Sequence, residues 1–275
     1  MTVALVTDSN SQLPAELRER FRVHVVALTV VLDGTPYREG IEITTAESYD
    51  HLARGADVST AAPSPGEVAA VYDAAVAAGA TEILSIHVGS NTSGTIHAVR
   101  LAAGGAAVPV EVVDTGTASF AISCCVWAAA DVLAAGGSVA AAAGAARAAA
   151  TVVDNVFVVG ALDLARRGGR LATSVDEQPG DVPVLALVDG RIEAVGRVGD
   201  IDAAVTAMTE YVVGRAAGAP IRVGVGDALT PALAAEFAAA LRARPEVTDL
   251  VHYEIGPTVG AHTGPGTVGA CFFRG

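Results

Sequence analysis

Short apolar runs alternate with polar turns and longer helical patterns along most of this chain. Val3–Val6, Glu82–Val88 and Val110–Val113 are apolar at most positions. Continuous runs of this length read as strands buried on both faces, the habit of parallel sheets. Val23–Leu32, rich in β-branched residues, reads as one further buried strand. The helical patterns carry start signals. Thr44-Thr45-Ala46-Glu47 and Ser64-Pro65-Gly66-Glu67 each place a hydroxyl at N-cap and a glutamate at N3, which together satisfy two orphan backbone N–H groups. They predict helices through Leu52 and Ala78, the second opened by Pro65 and closed by Gly79. Another helix runs from Pro14 to Phe21, one follows at 96–103, and alanine-rich helices span 118–135 and 139–149. Asp33-Gly34 is a hairpin turn leading to Tyr37–Gly40.

Beyond residue 150 the pattern changes. A strand at 155–159 leads to a helical run at 162–167 and the turn Gly168-Gly169-Arg170. The runs 184–188 and 191–195 flank Asp189-Gly190 as a hairpin. A helix (201–217), a strand (221–225), a helix (231–242) and a strand (247–255) follow. The expected fold is therefore α/β and two-lobed. Residues 1–150 form an N-terminal lobe with a mainly parallel sheet and flanking helices, and 151–275 form a mixed or antiparallel α/β C-terminal lobe.

Composition narrows the chemistry. At 275 residues the chain suits one large domain or two lobes. A net charge of −13 opposes a nucleic-acid backbone or an anionic membrane surface as partner. All 17 basic residues are arginines, which excludes a Walker A loop, a Schiff-base enzyme and a protein-kinase site, since each needs a lysine. Three cysteines, two of them the adjacent Cys124 and Cys125, provide neither a metal-ligand spacing nor a disulfide framework. Mean hydropathy is +0.48, yet the longest apolar stretch, Ala118–Ala135, contains Asp131 and ends at a glycine pair. No basic leader precedes the first strand, so a cytoplasmic protein without stable membrane insertion is expected.

Three polar stretches remain. Gly89-Ser90-Asn91-Thr92-Ser93-Gly94-Thr95 lies between a strand and a helix, where first-turn N–H groups and the macrodipole favour an anion. With hydroxyls and no lysine, it would hold a carboxylate or phosphate by hydrogen bonds. Equally, Ser93 or Thr92 could simply cap the helix, stabilising it by roughly 1 kcal/mol. Thr7-Asp8-Ser9-Asn10-Ser11 follows the first strand, where open α/β sheets bind ligands, although turn and cap roles are commoner. Gly256–Gly266 reads as a glycine- and proline-punctuated loop with His262 at its centre, leaving that imidazole few packing partners and a cleft to face; a lone histidine is more often structural. Gly224-Val225-Gly226 lacks the third glycine of a dinucleotide fingerprint, Leu229 standing there instead, and is rejected as one.

These stretches stand in one order with others. Thr7-Asp8-Ser9, Thr60-x-x-Pro63-Ser64, Ser93-Gly94-Thr95, Val113-Asp114, Arg167-Gly168-Gly169-Arg170 and Gly256-Pro257 through His262-Thr263-Gly264-Pro265-Gly266 together resemble the DegV family of bacterial fatty-acid-binding proteins. The resemblance covers 3–274 as one unit. It implies a two-lobed protein holding a long-chain fatty acid in an apolar tunnel with its carboxylate at the inter-lobe cleft. It further implies a non-catalytic, cofactor-free subunit that presents the carboxylate to a separate ATP-dependent fatty-acid kinase for acyl-phosphate formation. Carried over, Thr60, Ser93 and His262 would bind the carboxylate. Asp8, Ser9, Gly94, Thr95 and Thr263 would support it, and Arg167 and Arg170 would face the kinase. Arg166, Arg167 and Arg170 also complement a helix C-terminus as ordinary solvated cations. Two departures from the family pattern are Ala61, in place of a serine, and Ile96-His97, in place of tyrosine and glutamine. Two other classes stay in view: an esterase or acyltransferase using Ser93 and His262 with Asp8 or Asp114, and a small-anion sensor without a tunnel.

Overall fold

The computed structural model describes residues 2–167, 175, 181–188 and 191–274. β1 (Val3–Asp8) runs into a single 3-10 turn at Ser9–Ser11, then α1 (Ala15–Phe21) and β2 (His24–Val26). β3 (Thr29–Leu32) and β4 (Thr35–Arg38) form a hairpin, followed by α2 (Thr45–Ala53), β5 (Val58–Ala61) and α3 (Pro65–Ala77). Next come β6 (Glu82–His87), α4 (Thr95–Ala103), β7 (Val110–Asp114), α5 (Phe120–Ala134) and α6 (Val139–Val152). The later part contains β8 (Asp154–Val158), α7 (Leu162–Arg167), β9 (Val182–Val188), β10 (Arg191–Val198) and α8 (Ile201–Ala216). It closes with β11 (Ile221–Asp227), α9 (Pro231–Arg242), β12 (Val247–Glu254), α10 (Pro257–Thr263) and β13 (Val268–Arg274).

The described strands make three sheets. A four-stranded sheet, ordered β2-β1-β6-β7, is parallel throughout. A six-stranded sheet, ordered β10-β9-β8-β13-β11-β12, is antiparallel except for the parallel pair β11 and β12. The small antiparallel sheet β4-β3-β5 stands apart. The α/β class with a parallel sheet in one part and a mixed sheet in the other is as expected.

Both capping boxes form as written: the Thr44 and Ser64 side chains accept from the backbone N–H of Glu47 and Glu67, whose carboxylates return to the caps. The run 23–32 does not form one strand. β2 joins the parallel sheet and β3 the small one; the chain changes partner at Ala27-Leu28, where the Leu28 N–H donates to Ser9 Oγ at 3.0 Å. β-Branched residues favour strand without specifying which strand they pair with. Gly256–Gly266 is a second departure, because Pro257–Thr263 is helical, with Pro257 at its first turn.

α5 and α6 lie between the two larger sheets. Their buried residues, among them Phe120, Cys124, Cys125, Trp127, Ala142 and Ala146, share one core with Leu5, Leu84 and Ile86 of the parallel sheet. Tyr253, Cys271 and Phe273 of the six-stranded sheet belong to the same core. Alanine suits this layer, since small side chains let helices and sheets approach closely at native packing density. Gly224 and Gly226 gain their explanation here. A Cβ at either position would enter the ring of Phe120 or Tyr253, and those rings stack on β11 with centroids 4.5 Å apart. The glycines make room for an aromatic pair. Among the described residues no helix is long and apolar enough to cross a membrane.

Candidate functional site

A cavity opens where the parallel sheet's loops, the small sheet, α10 and the six-stranded sheet converge. The first part of the chain contributes Asn10, Leu28, Thr60 on β5, and Val88, Thr92 and Ser93 after β6. α10 contributes Thr258, Val259, His262 and Thr263. The strands of the six-stranded sheet supply Val156, Phe157, Leu187, Ile192, Ala270 and Cys271, which are apolar or thiol-bearing. Asn155 and Tyr253 carry the polar groups on those strands, and the Asn155 amide is engaged with the Leu187 backbone on both sides, at 3.2 and 2.6 Å. An apolar slot with a hydroxyl- and imidazole-bearing rim suits an amphipathic ligand.

Thr60, Ser93 and His262 therefore line one cavity, although residues 60 and 262 lie more than 200 positions apart. Thr60 Oγ1 stands 3.5 Å from His262 Nε2. Thr263 joins them in the lining. Gly94 is exposed and Thr95 fully buried, both beside the cavity rather than on it. Asp8 and Ser9 stand behind it.

The loop after β6 differs from the simple anion cradle. The N–H groups of Thr92 and Ser93 both donate to Gly89 O at 3.0 Å, and the Thr95 N–H reaches Ser93 Oγ at 3.3 Å. These donors are consumed inside the turn, and the N-cap of α4 is Gly94, with no side-chain cap bond. What the loop offers the cavity is the Ser93 hydroxyl, which pairs with Thr95 Oγ1 at 2.9 Å. Gly89 is required by close approach: a Cβ would lie within 2.6 Å of the Gly116 backbone. Asp114 holds this corner by accepting from the N–H of Ser90 and Gly116. Burial works against its ionisation, but these bonds and nearby Arg100 outweigh it and keep its carboxyl below the usual range.

Other features were invisible in the sequence. Ser119 lines the cavity in a backbone conformation (φ 60°, ψ −153°) that L-residues rarely adopt. It is held there through its N–H, which donates to Asn10 Oδ1 at 3.0 Å. Cys271 faces the cavity with its thiol pushed up to about 12 by burial, so it acts as a small apolar surface. Glu39, buried among Ser9, Thr258 and Gly256, had no signal beyond its place after a hairpin strand.

A Ser–His–Asp constellation does exist, made from different residues. Asp8 Oδ2 lies 2.9 Å from His87 Nδ1, and His87 Nε2 lies 2.6 Å from Ser85 Oγ. Tyr72 OH continues the chain at 2.8 Å from that hydroxyl. Asp8, Ser85 and His87 are fully buried and contribute nothing to the cavity lining. Asp8 is thus committed to His87 and to the Val88 N–H at 3.0 Å. Asp114 is committed to its turn, so neither orients His262 for an esterase.

Arg167 is exposed at the end of α7, which packs on α10 next to the cavity. A Cβ at Gly264, just beyond α10, would crowd Ala161 at 2.8 Å, showing how close that approach is. Arg170 lies outside the described residues.

Comparison with known proteins identifies the family. A sequence model of the DegV family matches residues 2–275. A DegV domain-containing protein of Streptomyces coelicolor is 39% identical over 271 residues, spanning 97% of this chain and 96% of its own. One from Mycobacterium bovis is 32% identical, spanning 98% and 97%. Among solved structures, a DegV family protein from Thermus thermophilus, described by its fatty-acid binding, superposes with a TM-score of 0.88 at 33% identity over 100% of both chains. DegV of Bacillus subtilis, described as a fatty acid binding protein, gives 0.88 at 26% identity over 100% of both. The chain belongs to the DegV family.

Proposed function

We propose that this DegV-family protein binds one long-chain fatty acid, with the acyl chain in the cavity and the carboxylate between Thr60, Ser93 and His262. The observation that carries this reading is the convergence of those three side chains on one apolar cavity. Hydroxyl donors and an imidazole suit a carboxylate. The apolar strands suit the chain, each buried methylene contributing about 0.8 kcal/mol. The fatty-acid binding described for the Thermus and Bacillus relatives supports the same ligand class.

On this reading the protein is a carrier without a cofactor or catalytic group of its own, and it serves a separate fatty-acid kinase that phosphorylates the presented carboxylate. Support for that step is the exposed Arg167 on α7, packed against the helix that carries His262. The two lobes of this reading divide between α6 and β8, near residue 150, with α5 and α6 filling the seam.

The test is mass spectrometry of an organic extract from the purified, folded protein, followed by incubation with a fatty-acid kinase and ATP. A stoichiometric long-chain fatty acid, converted to its acyl-phosphate by the kinase, is the expected result. An empty extract together with failure to take up palmitate would overturn the binding reading. Retained palmitate that no kinase phosphorylates would overturn only the presentation step.

A further inference from the structure

α10 begins without a cap of its own. Its N-cap residue is Gly256, which has no side chain to offer the orphan N–H groups of the first turn. Two N–H groups here are nevertheless engaged by side chains from the other end of the sequence. The Gly256 N–H donates to Gln12 Oε1. The Thr258 N–H donates to Glu39 Oε1 at 3.0 Å, and the Thr258 hydroxyl donates to Glu39 Oε2 at 2.8 Å. Ser9 Oγ donates to the same carboxyl oxygen. Glu39 is 7% exposed and follows β4. A Cβ at Gly256 would lie 2.6 Å from Glu39 Oε1, so the glycine is absent a side chain where the distant carboxyl group stands.

This arrangement spans the cavity. β4, which precedes Glu39, shares the three-stranded sheet with β5, which carries Thr60. Thr258 and His262 share α10, one turn apart on the same face. One buried contact, Glu39 to Thr258, thus ties the sheet of one rim residue to the helix of the other, whose closest polar approach is the 3.5 Å between Thr60 Oγ1 and His262 Nε2.

We propose that Glu39 is a positioning residue: by capping α10 from outside that helix, it sets the separation of Thr60 and His262 and so the geometry offered to the ligand's carboxylate. The ligand assignment rests on the fatty-acid reading above; the tether itself does not. A local cap and a tether differ in what can replace them. A serine at 256 can cap α10 locally once the Glu39 side chain is gone, but it cannot reach the small sheet.

Wild type, Glu39→Gln, Glu39→Ala and the double variant Glu39→Ala/Gly256→Ser would be compared in three readouts. These are thermal unfolding, the His262 imidazole resonance in a histidine-selective NMR spectrum, and affinity for cis-parinaric acid. Glu39→Ala should lower the melting temperature, shift the His262 resonance and weaken binding roughly tenfold, the scale of a lost buried cap. Glu39→Gln keeps an acceptor of the same length, and should retain the resonance and the affinity within about threefold. The double variant should recover thermal stability while the resonance and affinity stay as in Glu39→Ala. Recovery of all three properties in the double variant would reduce Glu39 to a local cap and overturn the proposal. So would a wild-type His262 resonance in Glu39→Ala, or a Gln variant as impaired as the Ala variant. Failure of the wild type to bind cis-parinaric acid would overturn the fatty-acid reading, while the resonance would still decide the tether.

Discussion

Two clusters in this molecule use nearly the same chemistry, a histidine flanked by hydroxyls, and differ in what surrounds them. Asp8, His87 and Ser85 of the parallel sheet and Tyr72 of α3 form a continuous chain, with Asp8, His87 and Ser85 fully buried. Thr60, Ser93 and His262 meet at a cavity, with a looser 3.5 Å approach between Thr60 and His262. The first looks more like a catalytic triad, yet it has no room for a substrate. Apart from Asp8 Oδ1, which is buried without a hydrogen-bond partner, its polar groups face one another, because a buried polar group left unbonded is costly. The second places its hydroxyls and imidazole on the rim of an apolar slot, and this access makes it fit to receive a ligand. Good internal geometry marks the structural cluster; an open rim marks the candidate site.

Breaking the sealed cluster should have the largest effect. Asp8→Ala removes the acceptor for both His87 Nδ1 and the Val88 N–H in a dry environment, a loss of about 3 kcal/mol in folding stability. Urea unfolding would measure it, and the protein that remains folded should bind fatty acid as before. A stability change below about 0.5 kcal/mol would show that the cluster contributes little and would undo the contrast.

At the cavity the effect should move from stability to binding. Thr60→Val and Ser93→Ala should each weaken fatty-acid affinity by about 1–3 kcal/mol, because a buried carboxylate would lose a donor. Their unfolding midpoints should change less than that of Asp8→Ala. Isothermal titration with palmitate beside urea unfolding separates the two quantities. Unchanged affinity in both variants would remove Thr60 and Ser93 from the head-group site.

What was legible in the sequence follows the range of the forces involved. Ser64 with Glu67, and Asp33-Gly34, act over three or four residues, so their helix and hairpin could be read directly. The cavity residues Thr60, Ser93 and His262 stand out through motif order; taken singly, Ser93 reads equally well as a helix cap, a lone histidine such as His262 is more often structural, and Thr60 has no signal of its own. Contacts set by topology were not legible. At Leu28 the change of strand partner coincides with a bond to Ser9, Glu39 meets Thr258 across 219 positions, and the helix Pro257–Thr263 is capped by Glu39 and Gln12 where its own sequence offers no cap. The glycines at 224 and 226 lack the spacing of a dinucleotide loop, and the packed rings of Phe120 and Tyr253 account for them.

Glu39 sits on the seam between the two clusters, bonded through Ser9 on one side and Thr258 on the other, and its titration gives the smallest and sharpest comparison. Burial pushes its carboxyl above the ordinary range, and neighbouring Asp8 pushes the same way. The bonds from Ser9 and Thr258 oppose that rise without cancelling it. A carboxyl that holds its proton more tightly folded than unfolded favours the native state at low pH. Its contribution is lost as pH rises from the ordinary carboxylate value through the raised one. Glu47 and Glu67 act oppositely, since their cap bonds lower their pKa and their contribution fades as pH falls. The whole-protein profile therefore mixes both signs, and the difference between wild type and Glu39→Gln isolates one. That difference in melting temperature should move against the wild type as pH is raised from about 4 to 7. A difference that stays flat, or that favours the wild type as pH rises, would mean that the three donors hold Glu39 ionised and that the seam is a charged clamp rather than a shared proton.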